Sequence, residues 1–338
     1  MKGTDHSKRT AVLLVNVGTP DEPKVPAVRR YLFQFLNDRR VIDLPLIPQK
    51  LLVNLIIVPF RAPKSTKLYQ MLWTDEGSPL LVNAEKNRVK LQEALGDGYE
   101  VFTAMRYQNP ALKQVLQEVR RRGFGKIVVI PVFPQYASST TGTIFQYVAR
   151  EISGWEVIPE LRLVGQFYDH PKFVEAFASR IREYQPESWD HIVFSYHGLP
   201  NRQLNKVHPR VDSAACSCTD EMPEHGKFCY RATCYHTSRL LAKALNLTTA
   251  GYSVSFQSRL DRNWMEPFTD ELLIKKAKEG KKRILVVAPA FVADCLETSV
   301  EIGIEYQDLF VEHGGEKVQL VESLNDHPLW IETLRMLV

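Results

Sequence analysis

The chain has 338 residues, long enough for two domains of ordinary size, each with its own core. Its 43 Lys and Arg against 39 Asp and Glu give a formal charge of +4 with no long basic tract, which argues against nucleic acid as a partner. The first nine residues are polar and lead directly into an apolar run, so no export segment is expected and the chain is placed in the cytoplasm. There cysteines stay reduced, and clustered ones hold metal more often than they form disulfides.

Short β-branched runs alternate with longer amphipathic ones, the pattern of βα units and a mainly parallel sheet. Strands are predicted near 11–17, 100–106, 126–130, 156–162, 191–196, 252–256, 283–287 and 317–321, with helices between them, among them 110–121, 171–184, 233–244 and 269–279. Two feature orders recur. The strand and Gly-x-Pro turn of Ala11 to Pro20 echo Ile192 to Pro200, and Lys126 to Phe133 echo Arg283 to Phe291. The fold class expected is α/β, as two similar doubly wound, Rossmann-like parallel-sheet domains facing a shared cleft. Residues 1–158 form the first, with a C-terminal helix at 326–338 expected to pack back on it. Residues 159–325 form the second and carry a cysteine segment at 211–234. Neither a Gly-x-Gly-x-x-Gly string after the first strand nor a phosphate-binding loop is present, so no nucleotide is expected.

Residues 41–60 are rich in Leu, Ile and Val but are interrupted by Pro45, Pro48, Pro59 and Lys50. The run is too broken to cross a bilayer, which takes about 20 apolar residues in a row. Two readings stay open: a buried core helix, or an exposed apolar lip that touches a membrane surface or closes over an apolar ligand.

The chemistry concentrates behind two buried strands. Ser195-Tyr196-His197-Gly198-Leu199-Pro200 follows Ile192-Val193-Phe194, presenting an imidazole where a strand empties into a tight turn, and Ala293-Asp294-Cys295-Leu296-Glu297-Thr298 follows the 283–287 run, presenting a carboxylate. Ligands of α/β sheets bind at the carboxyl ends of strands. A neutral imidazole of pKa near 6.5 accepts a proton or binds a divalent metal, and a carboxylate ligates metal or passes protons.

Four of the five cysteines fall within nineteen residues, as Cys216 and Cys218, then Cys229, then Cys234. The polar, turn-rich stretch 211–227 has little apolar mass to fold on, so a metal is expected to hold it. Cys-x-Cys is unusual for structural zinc, and four thiolates on a loop suit a [2Fe-2S] cluster at least as well. A [2Fe-2S] centre on Cys216, Cys218, Cys229 and Cys234 is the favoured reading, with zinc as the alternative and a structural or regulatory role.

Taken together, Asn16-Val17-Gly18-Thr19-Pro20, Gly77-Ser78-Pro79, Met105-Arg106-Tyr107, Pro134 to Gly142, Phe194 to Pro200, Phe256-Gln257-Ser258-Arg259, Trp264 and Pro289 to Thr298 fall in order over nearly the whole chain. In these strings the chain resembles the ferrochelatases. The resemblance implies a lyase of haem biosynthesis that inserts ferrous iron into a porphyrin, protoporphyrin IX favoured over coproporphyrin III, with release of two pyrrole protons. It implies His197 as proton acceptor and iron ligand, with Glu297 opposite. Trp264 would lie against the porphyrin, Arg106 and Tyr107 on the face across from His197, and Ser78 at the propionate end. Some relatives carry a second histidine where Cys295 stands here. The animal-type iron-sulphur arrangement is not matched either, since Ser138 occupies its mid-chain cysteine position. Competing readings are a cobalt or nickel tetrapyrrole chelatase and a non-catalytic haem or iron-sulphur carrier. Peripheral contact with the inner membrane through 41–60 is the expected membrane role, and oligomeric state is not encoded in any of these strings.

Overall fold

The structure is a computed structural model and describes residues 8–208 and 212–338. The chain divides into two compact units, one made of the chain up to Phe133 with Ala137–Gln166 and Ile331–Val338, the other of Pro134–Tyr136 and Phe167–Trp330.

In the first unit β1 (Thr10–Asn16), β2 (Tyr99–Met105), β3 (Lys126–Pro131) and β4 (Glu160–Leu163) form one parallel sheet in the order β2-β1-β3-β4. The β1 interior from Ala11 to Val15 is buried on both sides of the pleat, as in a sheet covered by helices on both faces. On one face Leu13, Val15, Ile127 and Val129 pack against Leu112, Leu116 and Val119 of one helix and Ile144, Val148 and Ile152 of another. The helices of this unit are α1 (Val25–Leu36), α2 (Leu46–Leu51), α3 (Val58–Leu72), α4 (Pro79–Leu95), α5 (Leu112–Arg122) and α6 (Thr143–Ile152). Helix α5 stops at Gly123, left-handed at φ +71°, after Arg120, Arg121 and Arg122, whose charges complement the negative end of the helix dipole. The strand expected over 156–162 starts only at Glu160, where pairing with Lys126 begins, so Val157 and Ile158 stand exposed ahead of it.

The prolines of 41–60 do not break the chain into a loop. Helix α2 runs through a π-helical turn, Leu52–Ile57, into α3, and the Val58 amide reaches back five residues to the Val53 carbonyl. Pro48 lies in the first turn of α2, where a missing N–H costs least, and Pro59 falls just past the π turn, inside the continuous helix. Val53 and Val58 are buried, whereas Leu46, Ile47, Leu51, Leu55, Ile56 and Phe60 are exposed. The run is therefore a helix with one exposed apolar side rather than a fully buried core helix. Among the described residues no helix is long and apolar enough to cross a membrane.

The second unit repeats the plan. Strands β5 (His191–His197), β6 (Tyr252–Gln257), β7 (Arg283–Val287) and β8 (Lys317–Leu320) form a parallel sheet in the order β6-β5-β7-β8. Its helices are α7 (Pro171–Arg182), α8 (Asn201–Asn205), α9 (Tyr230–Ala244), α10 (Thr269–Lys278) and α11 (Gln307–Glu312); α12 (Pro328–Leu337) follows, and from Ile331 on its residues group with the first unit. Val193, Ile284, Val286, Leu273, Ile302 and Phe310 make one of its cores. In each sheet the strand order reverses beside the first strand, between β1 and β3 and again between β5 and β7. Loops leaving such a pair diverge to opposite faces and open a crevice at the strands' carboxyl ends.

Candidate active site at the carboxyl end of the second sheet

His197 is the last residue of β5 and is half-buried. Its Nδ1 lies 2.7 Å from the Gly198 carbonyl. A carbonyl only accepts, so Nδ1 carries the proton and the Nε2 lone pair is left to accept one or to bind a metal. The turn is held on both sides. The Gly198 amide donates to the Gln257 carbonyl at 2.8 Å, and a Cβ at 198 would stand 3.1 Å from that oxygen, a crowding only glycine avoids. Met265 donates its amide to the Leu199 carbonyl, and Pro200 bridges Trp264, which brings the indole to a ring-centre distance of 6.2 Å from the His197 imidazole. The Trp264 side chain is half-buried rather than sunk in a core.

Glu297 arrives from the other side of the switch point. After β7 the chain turns into a π-helical segment, Leu296–Tyr306, capped by Cys295 and Thr298, with the Cys295 amide donating to Thr298 Oγ1 at 2.9 Å. Gln257, at the carboxyl end of β6 and in register with His197, joins the two arms. Its amide nitrogen donates to the Glu297 carbonyl at 2.8 Å, and its oxygen accepts from Ser195 Oγ at 2.8 Å. Ser195 in turn shares a hydrogen bond with Thr269 Oγ1 at 2.9 Å, so the linker is locked from below. Four residues past Glu297, the Glu301 carboxylate accepts from the Ser258 amide and hydroxyl, from Tyr306 and from Gln257. The neighbouring Cys295 thiol is pushed well up, by burial first and then by the Glu297 charge. Burial and then Glu301 raise Glu305.

In the first unit Met105-Arg106-Tyr107 leaves β2. Arg106 Nη2 pairs with Asp38 at 2.8 Å, its Nε donates to Thr143 Oγ1, and its guanidinium lies over the rings of Tyr107 and Tyr147. Tyr107 is buried and donates its hydroxyl to the same Asp38 oxygen at 2.9 Å, which Thr143 also reaches at 2.6 Å. Burial pushes the Asp38 carboxyl up, but hydrogen bonds from Thr143, the Arg40 amide and Tyr107, with the Arg106 charge, outweigh it and hold the group low. Gly18, at φ +116°, makes this packing possible: a Cβ there would fall 2.0 Å from the Tyr107 carbonyl. Ser78 is buried and donates to Thr19 Oγ1 at 3.2 Å.

In the cysteine segment, Val211 lies outside the described residues. Cys218, Cys229 and Cys234 are buried and Cys216 half-buried, all as free thiols. They form one electrostatic set. Cys229 is lowered, first by the bond from Cys218; Cys218 is raised, first by that bond and then by burial; Cys216 is raised by burial and touches Cys218; Cys234, raised by burial, lies beside Cys218 and Cys229. Donors to sulphur are in place, Arg231 Nε on Cys218 at 2.9 Å and the Ala232 amide on Cys229 at 3.4 Å. Cationic and amide donors to sulphur are what a thiolate ligand requires, but among the described residues no three of the four sulphurs lie mutually within 4.8 Å. Two histidines flank the set, with His225 Nε2 3.2 Å from Cys216 Sγ and the His208 ring centred 5.0 Å from that of His225.

Asp38, Thr143 and Glu301 carry much of this order and had no role in the sequence reading, and Gln257 figured there only within a string. The Glu297, Glu301, Glu305 spacing of four along one apolar-faced helix was a readable signal for Glu301. Asp38 sits in an irregular Asn-Asp-Arg-Arg turn that gives none.

The two-sheet architecture is that of metal chelatases. SirB from Bacillus subtilis, solved with Fe3+, aligns with a TM-score of 0.55 at 13% identity, covering 97% of this chain and 93% of that one, and the sirohydrochlorin chelatase SirB from Bacillus subtilis subspecies spizizenii, solved with cobalt, aligns at 0.51 and 13% identity, covering 96% and 91%; at such identity the likeness bears on the fold. The ferrochelatase family model matches residues 9–338. The ferrochelatase of Coxiella burnetii (strain Dugway 5J108-111) is 43% identical over 337 residues, covering 97% of this chain and 93% of its own length, and that of Legionella pneumophila (strain Lens) is 41% identical over 331 residues, covering 98% of each. The chain belongs to the ferrochelatase family.

Proposed function

We infer that the chain catalyses insertion of ferrous iron into a porphyrin, giving haem and two protons. Ferrous iron and porphyrin are its substrates. The observation that carries the residue assignment is Gln257, which lies in register with the tautomer-fixed His197 and donates to the Glu297 backbone carbonyl, so that both residues stand at the carboxyl end of one sheet. The Nε2 of His197 takes a pyrrole proton as the nitrogen–metal bonds form, and the Glu297 carboxylate ligates the iron or carries protons outward. Iron cannot enter a flat ring that still holds its protons, so binding energy at the porphyrin edge has to bend the macrocycle, and the half-buried Trp264 indole offers a surface against it. Arg106, Tyr107 and Ser78 are assigned to porphyrin binding, Arg106 half-buried and held by Asp38, Tyr107 and Ser78 buried. Anaerobic conversion of porphyrin by ferrous iron, followed by loss of porphyrin fluorescence, tests the reading. His197→Ala with unchanged circular dichroism should lose activity by about 10²-fold or more, the usual weight of a positioned acid–base group. Retained turnover would remove His197 from the reaction. Comparing protoporphyrin IX with coproporphyrin III, and Fe2+ with Co2+ and Ni2+, decides the favoured substrate and separates a cobalt or nickel chelatase. Absence of turnover with haem still bound would favour a carrier.

Cys216, Cys218, Cys229 and Cys234 are assigned to a [2Fe-2S] cluster, with zinc as the alternative. The redox-neutral insertion gives such a cluster no electron to carry, so it holds or regulates the segment 211–234. The exposed Leu46, Ile47, Leu51, Leu55, Ile56 and Phe60 are assigned to peripheral membrane contact of a cytoplasmic protein. Flotation with phospholipid vesicles, lost in Ile47→Glu with Phe60→Glu, supports that contact, and failure of the unaltered protein to float refutes it.

A further inference from the structure

We propose that His208, Cys216 and His225 form a mononuclear divalent-cation site of two imidazoles and one thiolate, occupied when the [2Fe-2S] cluster is absent. The site is distinct from the buried thiols Cys218, Cys229 and Cys234. One ligand atom from each of the three residues lies within 4.8 Å of the other two. The tightest pair, Cys216 Sγ and His225 Nε2 at 3.2 Å, stands slightly closer than two ligands of one ion. With metal–nitrogen bonds of ~2.0–2.1 Å and a metal–sulphur bond of ~2.3 Å, tetrahedral geometry sets ligand atoms roughly 3.3–3.7 Å apart, so closure asks for side-chain movement of about 1 Å.

His208 points to a ligand independently. It is 3% exposed, and among the described residues neither of its ring nitrogens has a hydrogen-bond partner. A buried imidazole with both nitrogens unpaired forfeits the hydrogen bonds that water would give it, and an ion bound at one of them removes that cost. His208 follows α8, Cys216 lies between two short 3₁₀ turns, Ser213–Ala215 and Ser217–Thr219, and His225 lies in a third, Glu224–Phe228. These short pieces contribute little apolar burial of their own, so an ion spanning them would tie three otherwise weakly connected turns. The donor set fixes the class of ion. Two imidazoles with one thiolate suit Zn2+, Co2+ or Fe2+ and not Mg2+ or Ca2+, and three protein ligands leave a fourth position for water.

The proposal shares Cys216 with the cluster assignment and does not rest on it, since the thiolate serves one occupant at a time. The test uses the full chain, reduced, freed of iron and titrated anaerobically with Co2+. One equivalent should bind with the intense visible bands of tetrahedral cobalt and a thiolate charge-transfer band. His225→Ala and His208→Gln should each weaken binding on the order of tenfold or more, as loss of a ligand exceeds the 10–100-fold cost of losing an outer partner. Cys229→Ser, which removes a thiol assigned to the cluster alone, should leave the bands in place. Bands unchanged in both histidine variants, or lost in Cys229→Ser while both histidine variants keep them, would overturn the proposal. X-ray absorption on cobalt bound to the unaltered chain needs no variant to fold: two imidazoles and one sulphur are expected, and three or four sulphurs would overturn it. A brown cluster that assembles on the chain while cobalt fails to bind its iron-free form would sink this site and leave the cluster assignment standing.

Discussion

Replacing Asp38 tests whether Arg106 and Tyr107 are presented by a structural anchor. In Asp38→Ala the Arg106 guanidinium, whose side chain is 18% exposed, loses a partner that is 11% exposed, while the hydroxyls of Tyr107 and Thr143 and the Arg40 amide each lose an acceptor. Stranding one member of a buried ion pair costs about 3–5 kcal/mol, and the residual exposure here places the expectation near the lower end, about 3 kcal/mol. Asp38→Asn keeps the shape and one carbonyl acceptor but turns an amide toward the Arg40 N–H, and should cost about 1.5–3 kcal/mol. Urea unfolding of the full chain measures both, and a cycle with Tyr107→Phe should show coupling of about 1 kcal/mol. The dependence on pH has a defined sign. Because the folded carboxyl titrates below its unfolded value of about 3.9, its stabilisation is present above that pH and fades as the pH falls through the folded value, so the gap between the native chain and Asp38→Ala should close in acid. A loss under about 1 kcal/mol for Asp38→Ala would mark the network as an ordinary exposed ion pair and refute the anchor.

Gly18→Ala should be among the most damaging single substitutions in the first unit, costing about 3 kcal/mol or more, because it combines a positive φ with a Cβ driven onto the Tyr107 carbonyl; a melting temperature within a degree of the unaltered chain would contradict that. His191 is buried against Ser253, and burial, then the charges of Lys276 and Lys281, lowers its pKa to about 4. An unfolded histidine takes up its proton near 6.5, so stability should fall as the pH drops from about 6.5 to 4, with a ceiling of about 3 kcal/mol that solvent screening roughly halves; His191→Gln should flatten that slope, and an unchanged slope would exonerate the residue. Cys216→Ser in anaerobically purified protein should lose red-brown absorption, whereas colourless native protein with stoichiometric zinc would replace the cluster by the alternative ion.

The α/β class and the central strands β1, β3, β5 and β7 were legible because buried parallel strands write themselves as continuous apolar runs, as Ala11 to Val15 and Ile284 to Val287 do, whereas the edge strands β4 and β8 alternate polar and apolar residues. His197 ends such a run, as its position in the string suggests, whereas Glu297 stands ten residues beyond Val287, in the first turn of the π-helical segment. Helix α2 and its continuation were harder to read. Proline argues for interruption, yet the first turn of a helix tolerates it and a π turn takes up the register, which no local pattern announces. Asp38 and Gln257 were invisible as anchors for a related reason: their importance lies in what three or four distant groups donate to or accept from one side chain. The strand at 156–162 was placed early because Val157 and Ile158 have the composition of a strand, while the hydrogen bonding that makes one starts at Glu160.

The contact between His197 and the Gly198 carbonyl bears on how the site would respond to its surroundings. A peptide oxygen has no proton to gain or lose in the working range, so the ring's orientation is indifferent to acidity and to changes of side chain nearby. In many enzymes an aspartate does this job and brings a negative charge with it. Here a neutral peptide group holds the ring, and no carboxylate is needed to orient it.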